Sequence, residues 1–355
     1  MPEPFDVIIA GGGVIGASIA WRLARNQLRV LLLDACAIGS EASSAAAGML
    51  APGGEFDQPS PLLDFAIASL ERYQHFVSEI EADSGLPIAF RRTGAIQIAL
   101  TNSELESLTA RAAFQRTAGI PSTVLSKHQL NALAPLVSAD AIGAVYYTNE
   151  AIVDPAGLMT ALRAACLVRG VIIEEQSLVK SVSATENDVQ MSQHKARFAV
   201  IAAGAWSSAI EASLEDQPYK LPRSFPIKGH LLGYRLPAGS LSTTVRHDHT
   251  YILQRADGFT IAGSSTEDAG FDRSIDPKIV SDLTSRAGAL VPALASLQPE
   301  SIWIGFRPAT DSPAPHIGRV LFSRLWLAYG HYRNGVLLAP ATCDRVCQEI
   351  TGALE

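Results

Sequence analysis

Two arginines near the C-terminal end of the chain each follow an apolar run that is typical of a buried strand. Arg307 comes directly after residues 301–306, and Arg333 follows residues 325–329. A guanidinium is costly to bury unless it meets an anion. A structural ion pair would satisfy this need, and so would a small carboxylate substrate held by a bidentate clamp. Two more polar side chains on a predicted sheet edge, Tyr251 and His249, suggest the second explanation, and the residue chemistry alone leaves both explanations open.

The beginning of the chain carries a different chemistry, the recognition of a dinucleotide. Residues 5–34, FDVIIAGGGVIGASIAWRLARNQLRVLLLD, contain the pattern Gly11-x-Gly13-x-x-Gly16 between a predicted strand and a predicted helix. Gly11 permits a tight turn, Gly13 lets the backbone approach a pyrophosphate, and Gly16 lets the helix pack closely on the strand. The helix N-terminus offers free N–H groups and the positive end of its dipole to the pyrophosphate.

An acidic residue completes this motif. Asp34 lies 18 residues after Gly16, at the end of the second predicted strand. A carboxylate there can accept hydrogen bonds from both hydroxyls of an adenosine ribose, and it would repel a 2′-phosphate. The alternative is an ordinary glycine-rich turn, but the flanking strands, the helix and the terminal acid favour dinucleotide binding. The motif alone leaves NAD and FAD open.

The elements that position these side chains indicate a mixed α/β fold. Residues 6–10, 14–25 and 29–34 predict one strand–helix–strand unit. Further helices are predicted at 61–83, 103–118, 126–133, 154–170 and 276–290, and further strands at 91–100, 171–174, 178–182, 199–202, 301–306 and 325–329. The small residues at 38–52 predict either a loop that passes close to a ligand or a flexible Ala/Ser linker. The strand-rich region 218–263 predicts an antiparallel sheet.

These elements predict two interleaved domains. Residues 1–85, 145–220 and 300–355 are expected to form the nucleotide-binding domain, and residues 86–144 and 221–299 the substrate-binding domain. A chain of 355 residues is long enough for both.

Composition excludes several other classes of protein. The net charge of −7 provides no basic surface for nucleic acid or anionic lipid. The four cysteines form no CxxC pair, so neither a disulfide framework nor a metal site is expected. No apolar run reaches transmembrane length, and the first residues lack the basic flank of a signal peptide. The cytoplasm is therefore the expected compartment.

Seven blocks of the sequence resemble the D-amino-acid-oxidase-like FAD amine oxidases, and among them the glycine oxidases of thiamine biosynthesis, over nearly the whole chain. The blocks are IAGGGVIGASIAWRLA at 9–24, SSAAAGMLAP at 43–52, AGAW at 203–206, PIKGHLL at 226–232, HDHTYIL at 247–253, GFRPATDSPAPHIG at 305–318 and GHYRNGVLLAPAT at 330–342. The last two blocks are the most specific. The resemblance favours FAD over NAD.

The resemblance implies an α/β (α+β) fold with a Rossmann-like FAD-binding domain and an interleaved antiparallel-sheet substrate domain. It also implies that FAD is bound without a covalent link. The implied cofactor contacts are Gly11, Gly13, Val14, Ile15, Gly16, Asp34, Ala35, Ala42, Ser43, Ala47, Gly48 and Met49, with Val179 near the adenine and His331, Tyr332, Arg333, Asn334, Gly335, Val336 and Leu337 at the flavin end.

The implied reaction is the oxidation of glycine, sarcosine or small D-amino acids by dioxygen to the imine or α-keto acid, ammonia and hydrogen peroxide. Arg307 would hold the substrate carboxylate, Arg333 would support substrate and flavin, and Tyr251 would close the pocket with His249 nearby. The expected partners are a small amino acid, dioxygen and further copies of the chain in a dimer or tetramer. The product is expected to serve thiamine thiazole synthesis.

Three alternatives stay open at this stage. A D-amino-acid dehydrogenase of the same fold would pass electrons to a quinone, and a tRNA-modifying amine oxidase would share the flavin domain, although the acidic charge opposes RNA binding. A non-catalytic FAD-binding protein would not need both arginines and Tyr251. Thr266 and Cys343 depart from the family pattern, which leaves the preferred amine open.

Overall fold

The structure is a computed structural model that describes residues 5–354. Its helices are α1 (Val14–Arg25), α2 (Ala42–Ala45), α3 (Pro61–Ser84), α4 (Asn102–Thr117), α5 (Lys127–Leu133), α6 (Pro155–Val168), α7 (Pro277–Leu290) and α8 (Gly335–Gly352). Short 3-10 turns cover Pro52–Gly54, Gly204–Ala209, Pro292–Leu294 and Tyr332–Asn334. In this part of the chain, every helix is too short or too polar to cross a bilayer.

The strands are short and numerous. In chain order they are β1 (Phe5–Ala10), β2 (Val30–Leu33), β3 (Met49–Leu50), β4 (Phe90–Arg91), β5 (Ala95–Ala99), β6 (Ser122–Ser126), β7 (Gly143–Tyr147), β8 (Ala151–Val153), β9 (Ile172–Glu174), β10 (Ser181–Ala184), β11 (Val189–Met191), β12 (His194–Ile201), β13 (Glu211–Leu214), β14 (Gln217–Tyr219), β15 (Ser224–Arg235), β16 (Thr244–His247), β17 (Thr250–Gln254), β18 (Phe259–Gly263), β19 (Ser301–Thr310), β20 (His316–Arg319) and β21 (Leu325–Tyr329).

A ten-stranded sheet contains the nucleotide motif. Its main order is β14-β13-β10-β11-β12-β1-β2-β9, and β21 pairs with both β12 and β20. The central strands β1, β2, β12 and β21 pair in parallel. Strands β1, β2 and β21 are almost wholly apolar and buried, and β12 is so from Phe198 onward, as expected for a parallel sheet that is covered on both faces. Helices α1, α3, α6 and α8 pack together with this sheet in one hydrophobic core.

The glycines of the motif have the roles that the sequence predicts for the fold. Gly11 has φ +104°, in the left-handed region that favours glycine. A Cβ on Gly16 would lie 1.9 Å from the carbonyl oxygen of Gly11. The first turn of α1 can therefore pack against the end of β1 only when residue 16 has no side chain.

An eight-stranded sheet forms the second domain, with the order β19-β15-β18-β17-β16-β5-β7-β6. All its neighbours are antiparallel except β16 and β5. Helices α5 and α7 contribute to its core. A three-stranded sheet has the order β3-β8-β4. Its residues contribute to the hydrophobic clusters of both larger sheets.

Several sequence predictions require correction. The predicted strand 178–182 is displaced, because β10 spans Ser181–Ala184 and Leu178 and Val179 line a cavity instead. The predicted loop 38–52 contains the helical turn α2 and the strand β3. Arg307 lies inside β19 rather than after a strand. This strand continues through Pro308 because β19 is a sheet edge, where a missing N–H is tolerated.

Two strands that the predicted domain boundaries assign wholly or partly to the nucleotide-binding domain belong to the eight-stranded sheet. β7 (Gly143–Tyr147) crosses the predicted boundary at 145, and β19 lies after the predicted boundary at 300. The boundary positions depend on pairing between distant strands, which local sequence patterns do not report.

Candidate functional site

A cavity of about 1030 Å³ is lined by residues of both large sheets. One end lies at the nucleotide motif, where Gly13 and Asp34 contribute to the wall. The other end lies on the eight-stranded sheet, where Tyr251 and Arg307 contribute. The four predicted catalytic residues all line it, as do most of the predicted cofactor residues.

The N-terminus of α1 forms part of the nucleotide end. Its N-cap residue is Gly13, which provides no side-chain cap, and the first turn contains no acidic residue. The backbone N–H of Val14 donates to Ser43 Oγ at a distance of 2.9 Å. This hydrogen bond holds α2, which contains Ser43, against the N-terminus of α1. A helix N-terminus whose N-cap residue provides no side-chain cap and whose first turn contains no acidic residue fits a phosphate group.

Asp34 is held by backbone donors at the end of β2. Its Oδ2 accepts from Gly12 N–H at 2.6 Å, and its Oδ1 accepts from Cys36 N–H at 2.8 Å. Burial raises the pKa of Asp34, while these two backbone donors oppose the rise. Each carboxylate oxygen retains acceptor capacity, so two ribose hydroxyls can still be bound.

The wall beyond the nucleotide end comes from the turn Tyr332–Asn334 and the start of α8. His331, just before this turn, is buried and contacts Thr342 Oγ1 through Nε2 at 3.0 Å. Burial lowers the pKa of His331 to about 3, so its imidazole is neutral at physiological pH. His331 therefore adds no charge to this wall, in which Arg333 is the basic residue of the turn, and the uncharged part of the wall fits a flavin ring.

Two of the predicted cofactor residues do not line the cavity. Gly16 lies behind the turn, where its role is the packing described above. Leu337 is buried in the core of the nucleotide domain, and its carbonyl accepts from Ser69 Oγ at 2.7 Å. These two residues shape the site from behind and do not form its surface.

Arg307 projects from β19 and is held by uncharged oxygens. Its Nη1 donates to Ser265 O at 3.0 Å and to Lys228 O at 3.4 Å, and its Nη2 donates to Ser264 Oγ at 2.7 Å. Within residues 5–354, no carboxylate lies within ion-pair distance of it. A Cβ at Gly229 would lie 2.4 Å from Nη2, so a glycine on β15 makes room for the guanidinium.

The unpaired edge of this guanidinium suits a carboxylate. An arginine has five N–H donors in a planar fork. The oxygens that residues 5–354 provide leave the Nε donor and one Nη2 donor of Arg307 without a partner. Nε and Nη2 form one edge of the fork, which matches the two oxygens of a carboxylate.

Tyr251 lies on β17 opposite Gly263 of β18. A Cβ at Gly263 would lie 2.6 Å from the Tyr251 hydroxyl, so the tyrosine occupies space that only a glycine leaves free. Desolvation raises the pKa of Tyr251, and nearby Arg307 opposes this shift less strongly. The hydroxyl is therefore protonated, and it lies near Ser264, whose Oγ accepts from Arg307 Nη2.

The other two predicted catalytic residues are more exposed. Arg333 Nε forms an ion pair with Glu55 Oε2 at 2.5 Å, and 47% of its side chain is exposed. His249 lies between β16 and β17 with 77% of its side chain exposed, 3.5 Å from Asp248. The structure therefore brings Arg307 and Tyr251 together and gives Arg333 a carboxylate partner within the chain.

Sequence analysis did not identify several polar residues of this cavity. Ser264 and Glu55 lie in irregular segments that have no motif of their own. Arg246 lies on β16 opposite Tyr251 and pairs with the buried Glu150 at 2.9 Å. The sequence of β16 does not indicate on which face of the sheet Arg246 lies. That face becomes known only from the pairing of β16 with β17.

Comparison with known proteins agrees with this geometry. The family model described as DAO, FAD dependent oxidoreductase, matches residues 6–349. The glycine oxidase of Geobacillus kaustophilus is 33% identical over 350 residues, which cover 96% of this chain and 92% of that protein. The bifunctional protein ThiO/ThiG of Synechocystis is 32% identical over 96% of this chain and 51% of its own length.

A solved structure is similar over the whole fold. The crystal structure of glycine oxidase from Geobacillus kaustophilus superimposes with a TM-score of 0.90 at 30% sequence identity. The match covers 98% of this chain and 95% of that chain.

Proposed function

Since this chain belongs to the DAO family of FAD-dependent oxidoreductases and is an FAD-dependent amine oxidase, we propose that its substrates are glycine and other small amines such as sarcosine and small D-amino acids. Glycine, dioxygen and water are converted to glyoxylate, ammonia and hydrogen peroxide. The observation that carries this proposal is Arg307, a guanidinium in the cavity that has no carboxylate partner among residues 5–354.

The residues at the substrate end orient the amine. Arg307 binds the substrate carboxylate through its unpaired edge, and the Tyr251 hydroxyl closes the same side of the pocket. Arg333 and His249 lie in more exposed parts of the wall and contribute to the electrostatic potential there. Fixing the carboxylate limits the directions in which Cα can point, which is the contribution that orientation makes to the rate.

The cofactor is FAD, and the residues of the other end fit its parts. In this proposal Asp34 binds the adenosine ribose, the N-terminus of α1 binds the pyrophosphate, and His331 to Val336 enclose the ring system. FAD supplies the redox chemistry when it is bound, accepting a hydride from the substrate and passing the electrons to dioxygen. We expect no covalent link, because Cys166, Cys343 and Cys347 are buried outside the cavity and Cys36 lies beside Asp34.

We further propose that the reaction serves thiamine thiazole synthesis. The similarity to the ThiO/ThiG protein of Synechocystis supports this assignment. The association of the chain into a dimer or tetramer stays a prediction that size-exclusion chromatography with light scattering would test.

The experiment that tests the reaction is a peroxide assay on purified holoenzyme with glycine, sarcosine and D-alanine, run beside a quinone-analogue reduction assay. We expect equal amounts of peroxide and ammonia from glycine and D-alanine, and equal amounts of peroxide and methylamine from sarcosine. Quinone reduction without peroxide would identify a dehydrogenase instead. A flavin that none of the three amines reduces under anaerobic conditions would contradict the proposed substrate class.

A matched variant controls for loss of a surface arginine. Arg235→Ala removes a half-exposed arginine of the same sheet that pairs with Asp257 and Glu300. Its peroxide release should equal that of the wild type.

A separate experiment tests how FAD is attached. Acid precipitation of the wild-type holoenzyme should release all the FAD into the supernatant if the cofactor is non-covalent.

A further inference from the structure

Arg307 is oriented by three oxygens, the carbonyls of Lys228 and Ser265 and the hydroxyl of Ser264, which we call the Arg307 cradle. Two of these oxygens belong to the segment that follows β18, which ends at Gly263. A pair of backbone hydrogen bonds between Lys228 and Glu267, with N···O distances of 2.9 and 3.0 Å, connects this segment to β15. The direction of the guanidinium therefore depends on what fixes residues 264–267.

Alternate residues of this segment face different surroundings. Ser264 and Thr266 line the cavity together with Arg307, whereas Ser265 and Glu267 do not. Such alternation is what an extended segment produces. The side chains of Ser265 and Glu267 instead meet His230, which lies on β15 and is fully buried.

A polar network joins these three side chains. Ser265 Oγ accepts the backbone N–H of His230 at 2.7 Å and donates to Glu267 Oε1 at 2.5 Å. His230 Nδ1 lies 2.8 Å from the same Oε1, and His230 Nε2 accepts the backbone N–H of Asp276 at 3.0 Å. Because Nε2 accepts a hydrogen bond, the proton of a neutral ring lies on Nδ1 and is donated to Glu267.

The network is stiff because both nitrogens of a buried ring are satisfied. Moving the imidazole would leave a buried donor or acceptor without a partner, which is costly. Asp276 is the N-cap of α7, so the ring is also tied to the start of a helix. The carboxylate of Glu267 thus reaches the cradle through Ser265 and does not contact Arg307.

We propose that His230 and Glu267 are positioning residues, which act through Ser265 to set the direction in which Arg307 presents its unpaired edge to the substrate carboxylate. This inference rests on the proposed role of Arg307. A carboxylate in direct contact with Arg307 would compete with the substrate for the guanidinium. Glu267 fixes the cradle from outside the cavity and leaves the positive charge available.

The test compares three variants of the FAD-loaded enzyme. Glu267→Ala removes the acceptor that His230 and Ser265 share, whereas Glu267→Gln retains an oxygen at that position. Gln254→Ala is the control, because Gln254 is buried in the eight-stranded sheet and bonds Leu241, Ser240 and Thr260 rather than the cradle. Each variant is measured for glycine KM and kcat, for melting temperature, and for the Kd of acetate from the change in the visible flavin spectrum.

We expect E267A to raise both the acetate Kd and the glycine KM by roughly 10- to 100-fold, the cost of a misplacement on the order of 1 Å. The kcat at saturating glycine should fall less. E267Q should restore most of the affinity for acetate. Q254A should lower the melting temperature and leave the acetate Kd unchanged.

An acetate Kd and glycine KM of wild-type size in E267A would overturn the inference, and so would an equal rise in Q254A. If E267A does not yield holoenzyme, Ser265→Ala, which removes one hydroxyl, is judged by the same criteria. A wild type that neither binds acetate nor oxidises glycine would remove the proposed function and this inference together. A wild type that does both, with unchanged variants, removes only the inference.

Discussion

The two ends of the cavity are built in different ways. At the nucleotide end, the candidate ligand contacts are the backbone N–H groups at the start of α1 and Asp34, which is itself held by the backbone of Gly12 and Cys36. At the substrate end, Tyr251 and Arg307 are 56 residues apart in sequence and lie on two strands of the eight-stranded sheet. The candidate residues of the first end are therefore positioned by local chain geometry, and those of the second end by the pairing of distant strands.

This difference predicts that the two ends respond differently to substitution of their residues. A backbone site depends on glycines and on the start of one helix, so it can be retained while other surfaces change. A side-chain site on a sheet can be altered by one substitution without disturbing the core. We therefore expect variants at the substrate end to change turnover with little effect on FAD binding, and variants at the nucleotide end to do the reverse.

The largest effect is expected for Arg307→Ala. The variant loses a charge-assisted bidentate contact that also orients Cα, so kcat/KM for glycine should fall by about 100-fold or more. FAD content and melting temperature should stay close to wild type, because no carboxylate among residues 5–354 depends on this arginine for neutralisation. Glycine kinetics and melting temperature on one preparation check both parts.

A buried arginine of the same sheet provides the contrast for this variant. Arg246 pairs with Glu150 at 2.9 Å, and both side chains are buried. Arg246→Ala should therefore lower the free energy of unfolding by about 3 to 5 kcal/mol, because it leaves a buried carboxylate unpaired. If R307A lost as much stability as R246A and still oxidised glycine normally, Arg307 would be a structural residue.

The contrast between the two ends of the cavity also explains why the sequence predicts the nucleotide end more completely than the substrate end. The strand–helix–strand unit, its glycines and Asp34 fall within residues 5–34, so periodicity and spacing are sufficient to predict them. The sequence also predicts Arg307 and Tyr251 as candidates, but their position in one cavity depends on strands β17, β18 and β19 meeting in one sheet. The pairing of Arg333 with Glu55 joins residues 278 positions apart, which no local pattern contains.

The second largest effect is expected at the nucleotide end. Asp34→Ala should weaken FAD binding by roughly 1.5 to 3 kcal/mol, the range for hydrogen bonds to a charged group. Part of this loss reflects the backbone of Gly12 and Cys36, which the carboxylate also holds. Turnover at saturating FAD should change little. An equal fall in kcat of the fully loaded enzyme would show that the two ends are not independent.

The affinity for FAD should also depend on pH through Asp34. Ribose hydroxyls donate to the ionised carboxylate, so protonation weakens the complex. Because burial raises the pKa of Asp34, the affinity should begin to fall at a higher pH than it would for an exposed aspartate. Fluorescence titrations with FAD at a series of acidic pH values measure the effect. Asp34→Asn cannot ionise, so its weaker affinity should be nearly constant over the same range while circular dichroism shows that the fold persists.

The smallest effect is expected for Arg333→Ala, although sequence analysis gave Arg307 and Arg333 similar weight. Arg333 is half exposed and already neutralised by Glu55, and such ion pairs contribute only about 0 to 1 kcal/mol. The variant should lower kcat/KM for glycine by less than about tenfold. Glu55→Ala should have the opposite effect on substrate binding, because it leaves Arg333 with an unneutralised positive charge beside the cavity, so the glycine KM should stay equal or fall. If R333A instead matched R307A, both arginines would share the substrate carboxylate, and Glu55 would have to leave Arg333 each time a substrate binds.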